Sequence, residues 1–137
     1  MNGPDRPLPR PTRITEAFWN AAREGRLIIQ KCNSCGRLQH YPRAFCLGCL
    51  SEDMGWQESG GEGAIYTFTI NHRAANEFMK SRLPYAVAMV ILDEGVRIMG
   101  EVVTADLATL RTGLRVTVRF EKASEEISLP RFELIVG

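Results

Sequence analysis

The apolar positions change period along the chain. Ile14, Ala17, Phe18, Ala21 and Ala22 fall three and four apart, one stripe of an amphipathic helix that begins near Thr12 or Thr15. Gly25 then supplies a C-terminal stop. Trp19 lies one position off the stripe. The helix therefore either docks wholly on its own chain or offers a tryptophan to another protein. From residue 64 the period falls to two, and residues 64–72, 85–92, 96–103, 114–121 and 129–136 read as strands. The alternation is clearest where Leu114, Val116, Val118 and Phe120 oppose Arg115, Thr117 and Arg119. Asp93-Glu94-Gly95 reads as a hairpin turn, and residues 105–110 as one or two helical turns. Five strands with a short helix between the third and fourth fit a small Greek-key barrel of the OB type.

Between these two regimes, residues 27–31 form a short strand that leads into the chain's only cysteines, Cys32-Asn33-Ser34-Cys35 and, ten residues later, Cys46-Leu47-Gly48-Cys49. Two Cys-x-x-Cys knuckles at this spacing are suited to one tetrahedral metal ion held by four thiolates, most simply a structural Zn2+. Two disulfides or one redox pair are the competing readings. No secretory leader precedes the cysteines, and a redox pair would leave the second knuckle unexplained. A four-thiolate shell has no open position for water, so the metal is expected to fold the ribbon and do no chemistry. Lys31, Arg37, His40 and Arg43 lie near the ligands in sequence and would offset their charge. His40 as a substitute ligand is the weaker reading.

Trp56 and the glycine-rich residues 59–63 mark a boundary. The expected organisation is a proline-rich arm and helix over 1–26, a zinc ribbon of rubredoxin-like type over 27–60, and an OB-fold domain over 61–137. The expected fold class is thus mainly β. Four of the seven prolines fall in residues 1–11, either a frayed tail or an arm that lies on a partner. Net charge is +1, split as 8 Lys+Arg against 6 Asp+Glu up to Gly60 and 9 against 10 beyond it. Neither part has the basic surplus of a nucleic-acid binder. With no run of about 18 apolar residues and no leader, the chain is expected in the cytoplasm.

The sequence offers no convincing set of catalytic groups. It has no P-loop, no dinucleotide fingerprint, no His-Glu-x-x-His and no nucleophile elbow. Its cysteines are committed to metal. His72 reads more readily as a hydrogen-bonded strand-end residue than as a general base, and Asp93, Glu94, Glu125 and Glu126 as solvated carboxylates. Residues 71–84 stand out as a long interruption of the first two barrel strands. They carry His72, Arg73, Lys80 and Arg82 against Glu77, with Phe78 and Met79 between. Cations beside apolar groups suit a ligand with phosphates and an apolar tail, or a docking surface, or simply a solvated loop pinned to the barrel.

In order, Phe18-Trp19, Arg23-Glu24-Gly25-Arg26-Leu27, Cys32-x-x-Cys35-Gly36-Arg37, Pro42-Arg43, Cys46-x-x-Cys49, Trp56, Gly63, Tyr66-Thr67-Phe68-Thr69 and Leu129-Pro130-Arg131-Phe132 resemble the DUF35 family over residues 12–136. The resemblance implies a non-catalytic accessory subunit of a thiolase-like acyl-CoA enzyme, of thiolase or retro-aldol type, that helps form the acyl-CoA site in lipid or aromatic acyl-CoA metabolism. The partner would hold the catalytic groups, in a hetero-oligomer of two plus two chains. Arg73, Lys80 and Arg82 are then expected along the coenzyme A path, and Phe18, Trp19, Phe78 and Met79 at the partner interface. A nucleic-acid-binding ribbon and barrel, or a stand-alone acyl-CoA-binding protein, are the alternatives.

Overall fold

A computed structural model describes residues 7–74 and 76–135. Helix α1, Glu16–Arg23, buries Phe18, Ala21 and Ala22, three members of the expected stripe, while Ile14 precedes the helix and stays exposed. Thr12 and Thr15 open it through reciprocal bonds, Thr12 N–H to Thr15 Oγ1 at 2.8 Å and Thr15 N–H to Thr12 Oγ1 at 3.2 Å. It ends in a Schellman motif: Arg26 N–H donates to Ala21 O and Gly25 N–H to Ala22 O. Gly25 sits at φ +79°, where a β-carbon would be strained.

Three short strands build the ribbon: β1 (Ile28–Cys32), β2 (Leu38–Gln39) and β3 (Met54–Glu58), with β1 central and both pairings antiparallel. The strands β2 and β3 escape the period-two reading because one is two residues long and the other is half-buried from Met54 to Gln57 with no alternation. Trp56 lies inside β3, opposite Gln30.

The barrel follows: β4 (Glu62–Asn71), a short helix α2 (Glu77–Lys80), β5 (Tyr85–Leu92), β6 (Arg97–Val103), a 3-10 turn (Leu107–Thr109), β7 (Arg115–Lys122) and β8 (Ser128–Leu134). The sheet closes in the order β4-β5-β6-β8-β7, with β7 returning to β4 and a parallel contact between β6 and β8. This is the connectivity of a five-stranded OB barrel, with its short helical turn between the third and fourth strands. Strand β4 begins two residues ahead of expectation at Glu62 because Gly63 lets three strands close up: a β-carbon there would sit 2.4 Å from Ile91 O. The last expected strand residue, Val136, lies outside the described residues.

The buried side chains form one core. Phe18 of α1 and Leu27 and Ile29 of the ribbon join Ile65, Ala88, Val90, Leu92, Ile98, Val102, Val116 and Phe132 of the barrel. The 59–61 link is tied down too: Ser59 Oγ donates to Glu94 Oε1 at 2.9 Å and Gly60 N–H to Glu94 Oε2 at 3.0 Å. Glu94, expected to be merely solvated in its turn, is a clasp between ribbon and barrel. Among the described residues no helix is long and apolar enough to cross a membrane.

Candidate metal centre and ligand-binding faces

The centre is built by two tight turns. Strand β1 delivers Cys32, whose N–H donates to Arg37 O at 2.8 Å, and Gly36 at φ +81° lets the chain turn back. In the second knuckle Cys46 N–H donates to Ser51 O and Leu50 N–H to Cys46 O. All four Sγ atoms lie within 4.8 Å of one another, with Cys32–Cys49 and Cys35–Cys46 at 3.6 Å. A tetrahedron with zinc–sulfur bonds of about 2.3 Å has edges of about 3.8 Å, whereas a disulfide needs about 2.05 Å. The donor set therefore fits one zinc ion and does not fit disulfides. Cys32 and Cys46 are fully buried; Cys35 and Cys49 reach the surface.

Backbone N–H groups prepare the sulfurs for negative charge. Cys35 N–H points at Cys32 Sγ at 3.4 Å, and Gly48 and Cys49 N–H at Cys46 Sγ at 3.3 and 3.5 Å. The Cys35 amide does most to hold the Cys32 thiol down, at about 6, and the Cys49 amide likewise lowers Cys46. Cys49 has the Ser51 amide to lower it, yet the neighbouring Cys32, burial and the other two cysteines together push it up to about 12. A divalent cation supplies the charge that lets four adjacent thiolates coexist. Arg37 lays its side chain along Gly48, where a β-carbon would come within 3.0 Å of Cδ. His40 is no part of this set; its ring packs between Phe18 at 5.5 Å and Tyr41 at 4.3 Å.

Two buried glutamines that the sequence did not single out hold the second knuckle. Gln30 Nε2 donates to Arg43 O, and Gln30 Oε1 accepts from Arg43 N–H, both at 2.7 Å. Gln39 Nε2 donates to Gln30 Oε1 at 2.8 Å and to Phe45 O at 3.1 Å, while its Oε1 accepts from Leu47 N–H at 3.0 Å. Here side-chain amides replace the β-ladder that this irregular loop lacks. Nothing in the sequence pattern marked either residue, because their burial and their loop partners exist only in the folded chain.

The 71–84 segment carries α2, capped by Asn76, whose Oδ1 accepts from Met79 N–H at 3.0 Å. Phe78 and Met79 stay half-buried and do not join the core. Arg73 is exposed, and Lys80 is exposed and paired with Glu77 at 2.6 Å. Arg82 turns toward the barrel, stacking on the Phe78 ring at 5.6 Å and meeting Glu121 at 3.4 Å. Phe18, expected at a partner interface, is buried in the chain's own core at 5% exposure, because its stripe faces inward. Trp19 is half-buried, edge-on to Phe18 at 5.0 Å.

Comparison with known proteins agrees with this architecture. The model of the ChsH2 rubredoxin-like zinc ribbon domain matches residues 19–55, and that of the ChsH2 C-terminal OB-fold domain matches residues 56–121. A DUF35 domain-containing scaffold protein of Methanocaldococcus jannaschii is 30% identical over 101 residues, covering 73% of this chain and 71% of its own. The chain belongs to the DUF35 family. A solved structure described as an Ltp2-ChsH2(DUF35) aldolase matches 94% of this DUF35 chain and 100% of its own, with a TM-score of 0.85 and 31% identity. A probable enoyl-CoA hydratase alpha subunit of Thermomonospora curvata is 34% identical over 127 residues, 93% of this chain. The chain spans 39% of that subunit's length.

Two cavities open on the described surface of this DUF35 chain. One, of about 340 Å³, opens between α1, residues 40–42 and strands β6 and β8. The other, of about 440 Å³, is bordered by Arg82, Tyr85, Thr104 and Leu107. They share Glu101 and Arg131 as a dividing wall. Arg131 is buried and bonded to both Glu101 and Glu121. Among the described residues, the four cysteines are the one group of three or more His, Cys, Asp or Glu side chains whose ligand atoms converge. His72 stays exposed at the end of β4, and Asp93 is held by Arg115 through two bonds of 2.8 Å.

Proposed function

We propose that this chain is a non-catalytic accessory subunit of an acyl-CoA enzyme. The observation that carries the reading is the match, over the whole of the other chain, to the DUF35 component of an Ltp2-ChsH2 aldolase. The geometry supports it. Among the described residues, the one converging cluster of metal-ligating groups is a four-sulfur set, which leaves a tetrahedral ion no open position. The hydratase relative extends well beyond the matched segment, so a hydratase activity there need not reside in the shared part. An aldolase partner is the better fit: a thiolase-fold enzyme of retro-aldol type, in a two-plus-two assembly, located in the cytoplasm. The partner contributes the carbon–carbon bond chemistry, and this chain contributes a wall of the acyl-CoA site and a rigid, zinc-held ribbon.

Within that reading, the coenzyme A path runs past the 71–84 segment. Arg82 supports it best, since it borders the 440 Å³ cavity; Arg73 and Lys80 offer exposed charge for phosphates nearby. Trp19, Phe78 and Met79 remain the proposed partner contacts. The test is co-purification with a thiolase-fold enzyme, followed by acyl-CoA kinetics of the complex with Arg73, Lys80 and Arg82 all changed to Ala. A raised KM with the complex intact is expected. An unchanged KM rejects the path, and failure to co-purify with any thiolase-fold enzyme rejects the partner.

A further inference from the structure

The 340 Å³ cavity has two unlike walls. On one side the rings of Trp19, Phe18, His40 and Tyr41 follow one another at centroid distances of 5.0, 5.5 and 4.3 Å, a continuous aromatic run. On the other side stand the aliphatic side chains of Ile98, Met99 and Leu129. The slot lies where three units meet, since α1, the ribbon and the barrel each supply part of it. At its mouth Tyr41 and Met99, one from each wall, are 54% and 51% exposed. Large apolar side chains kept this open beside a concave apolar surface are what a ligand site presents.

The polar groups of the slot define its ligand further. Arg131 is engaged by two carboxylates, Glu101 and Glu121, so the floor presents no surplus positive charge. Burial pushes His40 down to about 4, so its imidazole is neutral at pH 7 and offers hydrogen bonding without charge. An anion would have to leave water for a place whose cation, Arg131, is already engaged by two carboxylates. A flat uncharged ring system, in contrast, meets ring faces on one side and aliphatic groups on the other.

We propose that the slot between α1, the ribbon and strands β6 and β8 binds a neutral aromatic or fused-ring group, on this chain alone and without a partner's contribution. The site stands apart from the coenzyme A path, which lies across the Glu101–Arg131 wall. It requires neither that path nor the partner assignment.

A matched pair of dyes tests it on the full zinc-loaded chain. N-phenyl-1-naphthylamine is uncharged, and 8-anilinonaphthalene-1-sulfonate carries the same ring skeleton with an added anion. The neutral dye should bind saturably at one site, at least tenfold tighter than the sulfonate, and quench Trp19 emission. Met99→Trp, which fills the mouth from an exposed strand position, should weaken the neutral dye at least tenfold. Tyr66→Ser, at an exposed aromatic outside the slot, should leave it unchanged, and both variants should keep their zinc content and unfolding midpoint. If Met99→Trp itself unfolds the chain, Tyr41→Ser, which strips the opposite lip, should weaken the neutral dye severalfold. Absence of saturable binding, equal affinity for the sulfonate, or binding indifferent to the folded slot variants overturns the proposal. Loss of partner association by Met99→Trp in a chain that never bound the neutral dye overturns it as well, and assigns the slot to docking.

Discussion

Ribbon and barrel share one core but are held by different forces. The barrel closes its own sheet and buries Ile65, Val90, Leu92, Val102, Val116 and Phe132 at 2% exposure or less. Past β1 the ribbon adds only the partly buried Leu38 and Trp56 to that core. Phe45, Leu47 and Leu50 are 41, 49 and 69% exposed, and the loop that carries them hangs on four sulfurs and two glutamine amides. Hydrophobic burial is non-directional and tolerates substitution, whereas a metal and an amide network demand particular atoms. The difference teaches where this protein is vulnerable: the ribbon to loss of single groups, the barrel to loss of volume.

The largest expected effect is metal removal. Structural zinc in small ribbons contributes an apparent binding free energy of about 10–16 kcal/mol at neutral pH. A strong chelator should abolish amide protection in residues 32–51 while β4 to β8 keep theirs in hydrogen exchange. Equal loss in both regions would erase the contrast. Phe132→Ala should act in reverse, costing about 3–5 kcal/mol in a urea melt while the folded variant keeps its zinc. Gln30→Ala orphans both backbone groups of Arg43 and should cost about 1–3 kcal/mol. Its signature is faster zinc release to a chelator, with little change at the barrel.

Acid gives a smaller and graded effect through His40. Burial lowers its folded value from 6.5 to about 4, so the unfolded chain takes up the proton first as pH falls. Stability is full above the unfolded value, declines from about 6.5 to about 4 and then levels, a loss of about 3 kcal/mol. His40→Gln should flatten that part of the urea-midpoint profile; an unchanged slope would show that another group is responsible. The smallest effect belongs to Arg115→Ala. The Asp93 pair is roughly half exposed and screened by solvent, so its loss should barely move the urea midpoint, with the slight acid weakening from Asp93 removed as well.

How much could be read from the residues follows the same division. Period-two runs and Gly95 revealed the barrel because a closed sheet with one buried face writes its register into alternating side chains. Strand 85–92 came out to the residue, while the start of β4 was missed because Gly63 gives no periodic signal. Cysteine spacing identified the metal centre because ligand geometry constrains sequence directly. Gln30 and Gln39 were illegible, since an amide network depends on loop backbone atoms that no local pattern encodes. Phe18 was misplaced at the surface because a helical stripe shows which residues share a face and not what covers that face. The aromatic slot was invisible for a similar reason: its walls come from residues 15–19, 40–42, 98–101 and 129–131.

The central claim is that this chain lends structure to an acyl-CoA enzyme and performs no catalysis. Acyl-CoA turnover should be compared for the zinc-loaded chain alone, for a thiolase-fold enzyme alone and for the two together. The account predicts no turnover by the chain alone and full activity only when both are present. Turnover by the isolated, tag-free chain would contradict it.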